Sequence, residues 1–332
     1  MRECLTSVLV CPACHGRLSW KTQREKGDEL LEGSARCSPC DIDYPLRNGI
    51  GVFLPPQERP EDLWEETNSA IQRLVKNEPE KVRLLLESPV ATMNPTDLFF
   101  RGLILESQQR YVEAREVRNL SRAGMYSSEQ YACMKSQLDF VSSQVTDSPG
   151  PVVDLACGMG TLLETLLPKA TQHVVATDFS PRVLIRDRAV FASAAPKRGL
   201  SFLALDARHT PFADHSIPTI VSYVGLSNIE DPGDLVKELR RILSGHLFAI
   251  SLFYEEKAGP NADLIRQYKL DSLLYRETAV KKFEEAGFKV RVENAKTVLA
   301  QPTPKGVILV GAQTDRLPVT ETRVEWGTLV AS

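Results

Sequence analysis

Two constellations in this chain have residue types and spacings that could do chemistry. The first is a set of cysteines: Cys11-Pro12-Ala13-Cys14 and Cys37-Ser38-Pro39-Cys40 are CxxC pairs with residues 15–36 between them. Each pair can form a tight knuckle whose thiolates converge on one ion. Two knuckles then supply the four soft ligands of a closed tetrahedral zinc site. Chance pairs or a redox dithiol are the competing explanations, but a thioredoxin-like site wants one pair in a βαβ setting. The second constellation is Val152-Val153-Asp154-Leu155-Ala156-Cys157-Gly158-Met159-Gly160, a buried strand running into a glycine turn that opens a helix. Its glycines let backbone approach a ligand closely, and Asp154 sets an acid at the carboxyl end of the strand.

The glycine turn is not a dinucleotide fingerprint, because the third glycine of that motif would fall at Leu163. An acid beside the turn suits a cationic ligand, such as the amino-acid part of S-adenosylmethionine. An ordinary tight corner would use the same glycines. Further acids follow at the ends of the next expected strands. Asp178 is placed to accept both ribose hydroxyls, with Phe179 packing on the purine. Asp206 is placed to accept from the adenine amino group, with Ala207 leaving room. Each acid alone reads equally as a helix cap or loop residue, and the succession carries the argument.

These groups need a scaffold. With 332 residues, 42% hydrophobic and 25% charged, the chain has material for a sizeable core and more than one domain. A formal charge of −3 provides no global basic field for nucleic acid. No long apolar run or signal-peptide core is present, so the expected setting is the cytoplasm, with no membrane partner. Seven cysteines, an odd count, fit metal in a reducing compartment better than a disulfide framework.

The expected organisation is a ribbon at 1–56, a linker and helical lid or substrate region at 57–148, an α/β domain at 149–315 and a C-terminal tail at 316–332. The ribbon is too short to fold on its own core, so metal would supply much of its stability. Apolar residues at helical spacing predict helices over 63–74, 80–86, 98–117 and 128–145, with Ser128 as cap of the last. From Pro151 the pattern alternates. Strands are expected at 152–155, 173–177, 200–205, 219–224, 247–253, 288–293 and 307–312. Helices are expected at 162–167, 181–193, 233–243 and 278–286. Such alternation implies a doubly wound, mostly parallel sheet with ligands beyond the strands' carboxyl ends.

Residues 151–312 resemble the class I S-adenosylmethionine-dependent methyltransferases. The likeness rests on Val153 through Gly160, Thr177-Asp178-Phe179-Ser180, Asp206-Ala207-Arg208-His209-Thr210-Pro211-Phe212-Ala213-Asp214 and Asn228-Ile229-Glu230-Asp231-Pro232. It implies a seven-stranded Rossmann-like sheet whose last hairpin inserts one antiparallel strand. It also implies cofactor roles for Asp154, Gly158, Gly160, Asp178 and Asp206, beside which Ala156, Phe179, Ala207 and Tyr223 complete the expected S-adenosylmethionine site. Departures are Cys157 in place of a glycine, Ser244-Gly245-His246 in place of a Pro-Gly-Gly turn, and Pro218 where an Asp is frequent. The first 55 or so residues resemble the zinc-ribbon family that includes the small activator subunit of tRNA, rRNA and release-factor methyltransferases. That likeness implies a structural Zn2+ on Cys11, Cys14, Cys37 and Cys40, and a ribbon that stabilises the domain or positions substrate in cis.

Methyl transfer chiefly requires alignment of nucleophile and donor and exclusion of water. Ser222-Tyr223-Val224-Gly225-Leu226-Ser227-Asn228 lacks the Asn-Pro-Pro-Tyr pattern of exocyclic-amine methylation. The expected acceptor is therefore an O, N or C nucleophile on a small molecule. A base of rRNA or tRNA is the alternative, with RNA as partner, and a non-catalytic cofactor-binding scaffold is a third reading. Tyr223, Asn228 and His209 are the catalytic candidates, with His215 as a further polar group near the expected mouth. Oligomeric state and the acceptor atom are open at this level.

Overall fold

A computed structural model describes residues 1–55, 63–191 and 199–332. The expected boundary at 56/57 and the expected helix end at Ser193 lie outside the described residues.

Apolar, β-branched runs build the centre of the sheet. Strands β5 (Val152–Asp154), β6 (Val174–Asp178) and β7 (Leu200–Leu205) are buried at every position. Continuous burial is the mark of parallel strands covered on both faces. β5 lies at the middle, with Val153 paired to Val175 of β6 on one side and to Ile220 of β8 (Ile217–Tyr223) on the other. Strand order reverses there, and the carboxyl ends of β5, β6, β7 and β8 open the crevice where such sheets bind ligands. β9 (Leu243–Tyr254) runs parallel to β8, and β11 (Thr322–Ala331) lies antiparallel between β9 and β10 (Val290–Ala300).

Six of the expected strands, with β11 in place of the one expected at 307–312, make seven with one antiparallel member, but the sheet does not stop at seven. β1 (Ser19–Lys26), β2 (Glu29–Cys37), β3 (Ile42–Arg47) and β4 (Ile50–Phe53) extend it to eleven strands, in the order β1-β2-β3-β4-β7-β6-β5-β8-β9-β11-β10. β4 pairs in parallel with β7, Ile50 through Phe53 against Phe202 through Leu205. The ribbon therefore covers what would be an open edge of β7. Its apolar residues Leu5, Tyr44 and Phe53 share one cluster with Val153, Leu203 and Phe212, so ribbon and α/β domain fold on a common core.

The last strand differs from expectation. Residues 307–312 form a turn, because their backbone N–H groups are spent elsewhere. The buried Asp97 accepts from Val307, Ile308 and Leu309 at 2.8, 2.9 and 3.1 Å. Asp97 belongs to α3 (Pro95–Ser107), so the segment between β10 and β11 is pinned to the helical region. Most of the stretch read as a tail instead supplies β11, deep in the sheet.

The helical region comprises α1 (Leu63–Asn77), α2 (Pro79–Glu87), α3, α4 (Tyr111–Met125) and α5 (Ser128–Val145). One helix was expected over 98–117. The chain breaks at Gln109, which takes φ of 61°, and folds α4 back on α3. Ser127, not Ser128, caps α5 by accepting from the Gln130 amide at 3.2 Å. Met134, Leu138 and Val141 of α5 pack on the same core as Val152, Val174 and Val221. That core is completed by α6 (Thr161–Leu166) and α7 (Pro181–Phe191), while α8 (Pro232–Ile242) and α11 (Arg276–Glu285) cover the opposite face. The short helices α9 (Pro260–Gln267) and α10 (Asp271–Leu274) link β9 to α11. Among the described residues no helix is long and apolar enough to cross a membrane.

Candidate functional site

The four ribbon cysteines converge as their spacing predicts, with all four Sγ atoms within 4.8 Å of one another. A zinc ion about 2.3 Å from each sulfur would set them about 3.8 Å apart, so the donor set fits that ion in type and size. Cys11 and Cys37 are buried, and the Tyr44 hydroxyl lies 3.3 Å from Cys11 Sγ, the kind of outer hydrogen bond that orients a metal ligand. Tyr44 was not singled out in the sequence, since nothing in its spacing ties it to the cysteines.

At the centre of the sheet, the turn after β5 is shaped by backbone. The Leu155 and Cys157 amides bond the Val221 and Thr177 carbonyls at 2.8 Å each, which spreads the turn across three strands. Ala156, Gly158 and Gly160 all have positive φ, at 55°, 51° and 70°. A Cβ on Gly160 would come within 2.5 Å of the Phe191 ring, so glycine there lets α7 close on the start of α6. Gly225, just after β8, packs closely on the same turn, where a Cβ would lie 2.8 Å from that of Ala156. At Gly158 the nearest atom to an added Cβ belongs to Trp64 of α1, 3.7 Å away, so the turn presents an open face roofed by an indole.

The acids around this turn differ in state. Asp154 is fully buried, and neither carboxylate oxygen has a hydrogen-bond partner among the described residues. Burial, then the nearby Asp187 and Asp178 charges, push its carboxyl well above the ordinary range. An orphaned buried acid is costly, and a cationic group beside it would relieve that cost. Asp178 accepts the Gly158 amide at 2.9 Å and the Ser180 amide at 3.0 Å, which fixes the carboxylate at the end of β6. Asp206 is taken by Arg208, whose amide and guanidinium reach it at 2.8 to 3.1 Å.

A buried ionic chain ties the helical region to the turn. Glu106 of α3 pairs with Arg118 of α4 and lies 3.7 Å from Arg186 of α7. Arg186 pairs with Asp187 at 2.9 Å, donates to the Gly158 carbonyl and faces the Trp64 ring. Cys157 Sγ lies 3.5 Å from Asp187. The unusual cysteine of the turn is therefore accommodated as a small buried donor within this network.

Beyond β8 the surroundings become aromatic. Tyr223 ends that strand and stacks on Trp326 of β11, ring centroids 6.4 Å apart. The Trp326 indole N–H is buried without a partner among the described residues. Tyr126, between α4 and α5, donates to Asp315 at 2.9 Å.

Residues 3–49 match the family of Trm112p-like proteins, and residues 152–245 match the family described as a methyltransferase domain. A UPF0434 protein of Methylobacillus flagellatus is 37% identical over 62 residues, 19% of this chain and 90% of that protein. Residues 152–245 thus carry a methyltransferase domain, and a Trm112p-like ribbon precedes it at residues 3–49. The methyltransferase domain is 36% identical over 91 residues to a demethylmenaquinone methyltransferase of Thermobifida fusca, 27% of this chain and 38% of that one. It is 27% identical over 124 residues to a 2-phytyl-1,4-naphtoquinone methyltransferase of Trichormus variabilis, 37% of this chain and 54% of that one. The chain thus spans about half or less of these curated relatives. A solved methyltransferase of Aquifex aeolicus overlaps 58% of this chain and 90% of its own, with 16% identity and a TM-score of 0.39.

Of the expected residues, the methyltransferase domain brings Asp154, Ala156, Gly158, Gly160 and Asp178 around one turn. Phe179 packs half-buried against the core beside it, and Asp206 and Ala207 lie at the end of β7. The catalytic candidates separate. Tyr223 sits centrally, while His209 is exposed on the rim and Asn228 is exposed with its amide turned back to the Val224 carbonyl at 3.3 Å. His215 precedes β8 at its amino end, facing away from the crevice, with its ring nitrogen 3.2 Å from the Leu243 carbonyl. Tyr126, Asp315 and Trp326 were missed because they lie far from any motif. Trp64 was missed for the same reason.

Proposed function

We propose that this protein transfers the methyl group of S-adenosylmethionine to a nucleophile on a small molecule, and that its ribbon holds one structural zinc ion. The observation that carries this reading is the orphaned Asp154 carboxyl beside the open face of Gly158, at the point where strand order reverses. When bound, the donor supplies an electrophilic methyl on a sulfonium. Asp154 would offset the charge of its amino-acid part, Asp178 would accept from its ribose, and Trp64 with Phe179 would exclude water from its adenosyl group. The helical region, locked to the turn through Arg186, would close the acceptor side. The quinone-methyltransferase names of the relatives support a small ring-bearing acceptor, as does the absence of a global basic charge.

The test is calorimetry of S-adenosylmethionine binding to the purified full chain, together with metal analysis. Binding that is weakened about 100-fold by Asp178→Ala, about 2.7 kcal/mol, supports the reading. No binding by the unmodified protein would sink it. One zinc per chain is expected, and metal-free protein with four reactive thiols would refute the ribbon assignment.

A further inference from the structure

The segment between β10 and β11 is anchored to the helical region and brings Asp315 against Tyr126. Asp97 pins the turn at 307–309 to α3, and Leu317 packs in the cluster that holds Tyr223, Tyr254 and Trp326. Asp315 is half-buried, and its Oδ2 accepts the Tyr126 hydroxyl at 2.9 Å. That is the one hydrogen bond its carboxylate accepts among the described residues, which leaves Oδ1 for a ligand.

The groups around Asp315 come from three parts of the chain. Tyr126 bonds it from the link between α4 and α5, and Tyr223 of β8 and Tyr254 of β9 lie within reach of its charge, while Arg122 of α4 acts on Tyr126 and Tyr223. Burial raises Asp315, with the Tyr126 bond pulling it back. Burial first, and the Asp315 charge among the further causes, raises all three tyrosines. The tyrosines therefore stay neutral, and the carboxylate is the basic atom of this wall. The Tyr223 hydroxyl makes no hydrogen bond among the described residues, and its ring lies on Trp326 as a flat platform. Close packing of Gly225 on Ala156 holds this platform against the donor turn.

Resting on the methyl-transfer reading above, we infer that Asp315 is the proton acceptor for an aromatic hydroxyl seated against Tyr223, with Tyr126 as the residue that positions it. The acceptor O–H bond breaks toward Asp315 Oδ1, and the freed oxygen forms a bond to the methyl carbon as the sulfur–methyl bond breaks. The products are the aryl methyl ether, S-adenosylhomocysteine and protonated Asp315. The sulfonium charge and the carboxylate charge are both discharged, so the step is balanced.

Two probe phenols separate this role from a structural one. At about pH 8, 1-naphthol arrives protonated and needs a base, whereas 4-nitrophenol is largely ionised already. With the full chain and labelled donor, Asp315→Asn is expected to lower transfer to 1-naphthol by about 100-fold or more, and transfer to 4-nitrophenol by less than about 3-fold. Equal losses on both probes overturn the inference, as does unchanged transfer to 1-naphthol. Transfer to neither probe by a wild-type protein that binds donor also overturns it, whereas loss of donor binding by wild type fails the methyl-transfer reading itself. Tyr126→Phe gives a second reading that does not depend on the stability of the first variant. Removing its hydrogen bond raises Asp315 further, so the acid limb of the 1-naphthol pH profile should move to higher pH. An unmoved limb counts against Asp315.

Discussion

The proposed donor and acceptor halves of the crevice are built on opposite plans. The donor half, from β5 across β6 and β7 to the ribbon, uses residues that follow one another closely in sequence, each acid at the end of its own strand. Its acids are mostly committed within the fold, to amides in the case of Asp178 and to Arg208 in the case of Asp206, and of these three Asp154 alone is left without a partner among the described residues. The acceptor half gathers Tyr126, Tyr223, Tyr254, Asp315 and Trp326 from separate elements. A local turn can carry the first kind of site, whereas the second exists only when the helical region and the β10–β11 connection have docked.

The contrast can be broken first at its far edge. Cys37→Ser should cost on the order of 3–5 kcal/mol, read by thermal or denaturant unfolding, because loss of metal also uncovers β7 through β4. If the domain keeps its stability when zinc is lost, the shared core is not energetically shared. A smaller effect is expected within the core, where Gly225→Ala should cost about 1–3 kcal/mol by overpacking against Ala156. It should impair acceptor and donor functions together, since it joins the two halves.

Asp154→Asn sharpens the comparison by sign. Its raised folded value means that, as pH climbs above the unfolded value near about 4, the unfolded chain releases a proton that the folded chain keeps. Stability is therefore lost with rising pH until the folded group also ionises. The variant should be more stable than wild type near neutrality, on the order of 1–3 kcal/mol, with the gap closing toward about pH 4. At the same time it should bind donor more weakly. Greater stability with unchanged donor binding would remove Asp154 from the site. The smallest effect is expected from Asp206→Asn, which should change donor affinity by less than about 1 kcal/mol because Arg208 holds that carboxylate. A larger loss by calorimetry would return Asp206 to the role its strand-end position predicts.

Much of the architecture was legible. The cysteine spacing predicts a converging cluster, and the strand–turn–helix pattern around Asp154 predicts the crevice, because both depend on short-range geometry. The last strand was misplaced because 307–312 and 322–331 are both short apolar stretches. The choice between them was made by Asp97, some two hundred residues earlier in the chain, which takes the first segment's amides out of any ladder. His209 and Asn228 are polar and near the motifs, yet their side chains end on the rim.

By itself the sequence determined the local chemistry: four thiols at ribbon spacing, a glycine turn with an acid before it, and an alternation that compels a parallel sheet. Only the tertiary structure decided that the ribbon is the edge of that same sheet, that Asp206 is paired while Asp154 is not, and that Asp315 meets Tyr126. The reason is physical. Periodicity and spacing record interactions within a few residues, whereas strand adjacency, burial of a charge and the meeting of distant side chains are set by packing free energy summed over the whole core.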